Sequence, residues 1–128
     1  MYACSWSDVT ETEGLPNNFR RAVAGREMSV NQIRWVHPTE LPLHVHDDAE
    51  QALIMLEGRI EFTIDGTEMV LAAGDIAFVP RHAVHGGRSI EGEAVFVEVF
   101  SPMRVDLLPG FLGGPSMPAQ APTQGDQQ

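Results

Sequence analysis

Several kinds of protein are excluded by what this chain has little of. It holds one cysteine, Cys4, in 128 residues, so no internal disulfide can form and an oxidising compartment is not required. Basic residues are scarce, with 8 Lys and Arg against 18 Asp and Glu and a net charge of -10. A phosphate backbone or an anionic membrane surface would be repelled, so neither nucleic acid nor membrane is an expected partner. No apolar run approaches the ~20 residues that span a bilayer. The start, M-Y-A-C-S-W-S-D, has no basic n-region and no apolar h-region, and a cytoplasmic location is the expectation. There is no long helical period, no internal repeat, no helix pair suited to DNA, and no room for a second domain.

What is present is a succession of short apolar segments cut by Gly, Pro and Asx turns, which predicts an all-β barrel or jelly roll. Met28 to Val36, Ala52 to Leu56, Arg59 to Ile64, Thr67 to Leu71, Ile76 to Val79 and Ala94 to Phe100 read as strands. Asp65-Gly66 is a strong hairpin signal joining two of them. Pro80 to Gly87 reads as a loop. Residues 1–27 form an N-terminal arm, its first 18 residues polar and loosely structured, with Trp6 and Leu15 able to pack over a barrel end. Residues 28–112 make the barrel with a C-terminal segment, and 113–128 have almost nothing apolar to bury and are expected to be disordered. In Ala94 to Phe100, both strand faces are largely apolar. A small barrel has one interior, so the second face needs the arm or a partner subunit as cover, and a homodimer is expected.

The chemistry concentrates in P-L-H-V-H-D-D-A-E-Q-A-L-I-M-L-E-G, from Pro42 to Gly58. His44 and His46 alternate across Val45, so in an extended strand both imidazoles reach one face and can meet one metal ion. On a helix they would diverge. Glu50 and Gln51 offer an oxygen donor, and His85 brings a third imidazole. Neighbours on a regular strand face opposite ways, so one of Glu50 and Gln51 is expected to coordinate. Unbroken parity from His46 selects Glu50, but Asp47-Asp48 reads as a turn or bulge that breaks it.

This stretch resembles the first cupin motif, H-x-H, a short gap, Glu or a substitute, six residues and Gly. Gly74 to His85, G-D-I-A-F-V-P-R-H-A-V-H, resembles the second, with His82 where glycine is usual. The resemblance implies a cupin barrel, and its count back from Gly58 selects Gln51. Three imidazoles and an amide leave the full divalent charge on the ion, a stronger Lewis acid than a carboxylate version. Such a shell fits Zn, Ni, Fe, Mn or Cu.

A closer resemblance lies in V-E-V-F-S-P-M-R-V-D-L-L, Val97 to Leu108, which is similar to the end of small single-domain cupins of the KdgF, or pectin-degradation, type. Those proteins linearise 4,5-unsaturated uronates with a metal held by three histidines and a glutamine. By position the resemblance implies His44, His46, Gln51 and His85 as ligands, Glu98 as the acidic catalytic residue where the family has aspartate, Phe100 as an aromatic wall, and Arg104 as an arginine on the substrate side. From the residues themselves, a carboxylate between Phe96 and Phe100 is either an acid/base group or one half of an ion pair with Arg104 or Arg34.

The expectation is a metal-dependent cupin enzyme for a small molecule, isomerising or ring-opening an unsaturated uronate. Two alternatives stay open, a cupin cyclase of aromatic polyketide biosynthesis and a non-catalytic ligand-binding or sensing cupin. Trp35, Leu53 and Met55 read as core, His37 and His82 as exposed.

Overall fold

The computed structural model describes residues 2–102. A single turn of 3-10 helix, Trp6–Asp8, precedes ten strands: β1 Thr12–Glu13, β2 Asn18–Ala24, β3 Ser29–Val36, β4 Glu40–His44, β5 Glu50–Glu57, β6 Arg59–Ile64, β7 Thr67–Ala72, β8 Ile76–Val79, β9 His85–Ser89 and β10 Glu93–Ser101. They form two antiparallel sheets, one of six strands in the order β1-β2-β3-β10-β5-β8 and one of four in the order β4-β9-β6-β7. This is the all-β architecture expected from the sequence.

Period-two patterning decides which faces meet. Along β3, residues alternate between buried and half-buried, with Ser29, Asn31, Ile33 and Trp35 inward. Gln51, Leu53 and Met55 are the inward set of β5. Register then stacks these side chains into rows: Asn31 pairs with Glu98 and Glu98 with Leu53, while Ile33 pairs with Phe96 and Phe96 with Met55. The interior is therefore divided along its length. Ile33, Trp35, Leu53, Met55, Ile60, Phe62 and Phe96 fill one part as a continuous core, with Trp35 and Phe96 in an edge-to-face contact at 5.1 Å. Each such side chain contributes ~1.5–3 kcal/mol by leaving water. Ser29, Asn31, Gln51, His46 and His85 are buried polar residues on the same inner surface. Trp35, Leu53 and Met55 are thus core residues, as their strand parity implied.

The Asp65-Gly66 hairpin forms as its sequence requires, with Ile64 paired to Thr67 and both turn residues at positive φ, 48° and 81°, the signature of a type I′ turn. Besides the two-residue β1, two strands escape the sequence signal. The loop expected over Pro80 to Gly87 ends early, since His85 to Gly87 open strand β9, His85–Ser89, between β4 and β6. Its glycines carry no strand preference, yet the space demands them. A Cβ on Gly86 would stand 2.7 Å from Leu41 O, and one on Gly87 2.6 Å from Glu61 O. β2 is the other, its adjacent Arg20 and Arg21 hiding the alternation, and it pairs with β3 from Asn18↔Trp35 to Ala24↔Ser29.

The first residues are more ordered than their polarity suggested. Arg21 donates to Trp6 O and Val9 O at 2.8 and 2.9 Å. Arg34 holds both carboxylate oxygens of Glu11 at 2.9 and 3.2 Å and lies over the Phe19 ring, 4.4 Å from its centroid. Charge-assisted bonds, together with the buried Val9, fix these first residues to the outer face of β2 and β3. On the same sheet, Leu56, Ile76 and Phe78 of β5 and β8 stay exposed. The tail expected over 113–128 lies outside the described residues.

Candidate metal centre

Three histidines converge at the adjoining ends of β4 and β9. His44 ends β4 and His85 begins β9, and the two are cross-strand partners. His46 follows His44 just beyond the strand. Ring centroids are 4.2 Å apart for His44 and His85 and 4.9 Å for each of the other two pairs. One ring nitrogen from each lies within 4.8 Å of the others, close enough for the three to hold one metal ion. Two of the rings are oriented from behind. His44 Nδ1 donates to Pro42 O at 2.8 Å and His85 Nδ1 to Ala83 O at 3.0 Å. A carbonyl only accepts, so Nδ1 bears the proton and Nε2 bears the lone pair, the tautomer that ligation requires.

Behind this cluster lies a chain of polar side chains. Gln51 is 2 % exposed and its Nε2 donates to Glu98 Oε2 at 2.8 Å. The other carboxylate oxygen, Glu98 Oε1, accepts from Asn31 Nδ2 at 3.5 Å. Gln51 Oε1 is buried and has no hydrogen-bond partner among the described residues. Such an orphaned oxygen is costly unless something occupies the site beside it. An amide oxygen with three imidazoles is a donor set that suits a divalent transition metal, and so these residues fit one.

The two oxygen candidates face opposite ways. Glu50 is exposed on the outward parity of β5, and Gln51 is buried on the inward one. Asp47 and Asp48 are exposed between β4 and β5, and this irregular stretch breaks the parity that would have selected Glu50. Phe100 is the cross-strand partner of Gln51, and its ring meets His46 edge-on at 5.5 Å. Of the two ion-pair partners considered for Glu98, Arg34 is engaged elsewhere, with Glu11 and with Glu93 at 3.1 Å. Arg104 lies outside the described residues.

Two further histidines stay out of the cluster. His37 is exposed and shares a 2.7 Å hydrogen bond with Ser89 Oγ. His82 is exposed, with Nδ1 2.9 Å from Asp47 Oδ1 and its backbone N–H on His46 O, so it braces the segment that carries His46. Asn31 went unremarked in the sequence. Its signal was parity, since it stands two residues before Ile33 on the strand face that also holds Trp35.

The sequence profile of the cupin domain matches residues 35–100. The chain belongs to the cupin family. Among curated cupin relatives it is 30% identical over 87 residues to quercetin 2,3-dioxygenase of Bacillus subtilis, covering 68% of this chain and 26% of that protein. It is 34% identical over 65 residues to the pectin degradation protein KdgF of Dickeya dadantii, covering 51% of this chain and 59% of that one. The chain thus spans about a quarter of the first relative's length and less than two thirds of the second's. Among solved cupins, KdgF from Halomonas sp. superposes with a TM-score of 0.75 at 23% identity, over 80% of this chain and 95% of that one. The polyketide cyclase RemF from Streptomyces resistomycificus gives 0.69 at 18%, over 79% of each chain. At these identities the structural likeness establishes the cupin fold, and the KdgF-like resemblance rests on the sequence match.

Proposed function

We propose that this cupin is a metal-dependent enzyme that isomerises and ring-opens an unsaturated uronate-like sugar acid. The observation that supports it most is the joint placement of three imidazoles and the buried, unpartnered amide oxygen of Gln51, with a carboxylate one hydrogen bond from that amide. His44, His46, His85 and Gln51 would hold the ion. When bound, the metal supplies Lewis-acid polarisation of a substrate oxygen.

The remaining work falls to the chain's own residues. Opening a cyclic 4,5-unsaturated uronate moves one proton from the anomeric hydroxyl to C4 while the C1–O ring bond breaks and C5 becomes a ketone. No atom is gained or lost. Glu98 is the group to carry that proton, since its carboxylate lies on the inner surface beside the ligand set. The Phe100 ring, already against His46, forms a wall for the sugar ring. Arg104 is the residue to pair with the substrate carboxylate, by a bidentate contact.

A cupin cyclase acting on an aromatic polyketide is the second reading. It is favoured by the aromatic ring of Phe100, which stands edge-on to His46 beside the candidate ligand set. A sugar acid offers less surface for such a ring to desolvate. The homodimer expected from the sequence would cover Leu56, Ile76 and Phe78; Phe78→Glu should then shift the mass measured by light scattering to that of one chain.

The test is to measure metal content on protein purified without added metal, then to incubate that sample with a 4,5-unsaturated uronate and follow its ultraviolet absorbance. Metal with loss of the conjugated alkene supports the uronate reading. Metal with no turnover removes it in favour of the cyclase or a ligand-binding cupin, and no metal after reconstitution removes both enzyme readings.

A further inference from the structure

The two primary amides in the polar part of the interior share one acceptor. Asn31 stands opposite Glu98 across the β3/β10 ladder. Gln51 stands opposite Phe100, two residues from Glu98, on the other side of β10. Glu98 is thus flanked by one direct and one diagonal neighbour, both within reach of a long side chain. An ionised carboxylate accepts hydrogen bonds and donates none. Each amide must therefore turn its NH2 toward Glu98 and its carbonyl away. That is the observed arrangement. Gln51 Nε2 meets Oε2 at 2.8 Å and Asn31 Nδ2 meets Oε1 at 3.5 Å, while Gln51 Oε1 and Asn31 Oδ1 are both buried with no hydrogen-bond partner among the described residues.

The two ends of a primary amide have nearly the same shape but opposite polarity, so packing alone does not choose between them. Only the oxygen end binds a cation. We infer that Glu98 is the positioning residue that fixes the Gln51 amide with its oxygen toward the metal centre, and that Asn31 steadies Glu98 in that role. This rests on the metal reading above and adds to it a task for Glu98 that is separate from carrying a proton. Partners of this kind behind a ligand typically change metal affinity by about 10–100-fold when removed.

The test is a cycle read by metal affinity rather than by turnover. Apoprotein is titrated with zinc in competition with a chromophoric chelator, and circular dichroism checks that each variant keeps its strands. In the parent chain, Glu98→Gln keeps the shape but supplies a group that can accept or donate, and zinc should bind about 10–100-fold more weakly. Asn31→Leu should weaken zinc in the same direction by less. In a Gln51→Glu background there is no wrong end to present, so Glu98→Gln should cause no loss there and, by removing one of two adjacent carboxylates, can strengthen binding. An equal loss in both backgrounds would show that Glu98 acts only through its charge and would overturn the inference. Unchanged affinity for Glu98→Gln in the parent chain would overturn it while leaving the metal centre intact. A parent chain that binds no zinc, nickel, iron or manganese would remove the metal reading itself. Should Glu98→Gln fail to fold, Asn31→Leu in the same two backgrounds carries the comparison.

Discussion

His44 and His85 are cross-strand partners of β4 and β9 with ring centroids 4.2 Å apart, so two of the three histidines of the candidate metal centre are held by a backbone ladder, and His46 lies just past the end of β4. The glycines at 86 and 87 that hide β9 in the sequence are what let it approach Leu41 and Glu61 closely enough to form that ladder. Precision at the site follows from pairing in the small sheet.

His85→Ala should therefore abolish most metal binding while leaving the fold intact. The ring is buried at 1% exposure, so a cavity cost of about 1–3 kcal/mol is expected as well. Elemental analysis and a urea midpoint on the same sample separate the two effects. Stoichiometric metal on the variant would remove His85 from the ligand set.

Gln51 and Glu50 are adjacent but face opposite ways, and their substitutions should differ accordingly. Gln51→Ala should lower metal affinity by at least about tenfold, whereas Glu50→Ala should leave it within about twofold, because an exposed carboxylate on the outer parity is screened by solvent. Competition titration checks both. Equal and negligible effects would mean that neither side chain reaches the ion.

How much of this was legible in the sequence depends on the kind of signal. His44 and His46 could be placed on one site because a two-residue spacing in extended chain brings both rings to one face, and they do meet, although His46 lies just past the end of β4. The Asp65-Gly66 turn fixes its own register and was equally plain. The choice between Glu50 and Gln51 could not come from parity, since residues 47–49 break it, and needed the count back from Gly58. β9 was invisible because H-G-G-R-S has no strand preference of its own and pairs only through long-range contacts. Asn31 was missed because a single polar residue on an inward parity reads as noise until the opposite strand places Glu98 beside it.

The arm should loosen in acid. Hydrogen bonding to Arg34 holds the Glu11 carboxyl below its ordinary value. A lowered folded pKa means stabilisation that is fully present above the unfolded value and is lost as pH falls through the folded one. The pair is partly exposed, so its worth is that of a surface ion pair, ~0.5–1 kcal/mol. Glu11→Gln should accordingly lower the urea midpoint near neutral pH, and the difference from the parent should vanish below the folded pKa. A constant difference across that range would show that Glu11 acts through packing.

His82 occupies a position whose backbone suits glycine, with φ at 71°. A side chain in the left-handed region costs about 1 kcal/mol, partly offset here by the 2.9 Å contact with Asp47 and by the smaller entropy that histidine loses on folding. His82→Gly should therefore be neutral or stabilising by less than about 1 kcal/mol. His82→Val should destabilise by more than about 1 kcal/mol, because a β-branched side chain is strained at positive φ and the Asp47 contact is lost with it. The two midpoints in urea test this directly, and a valine variant as stable as the parent would show that strain at this turn is relieved by rearrangement of residues 80–84. Metal affinity supplies the second reading. His82 N–H bonds His46 O, a backbone contact that His82→Gly retains, so that variant should bind metal as the parent does, while a shifted turn in His82→Val should weaken binding by moving His46.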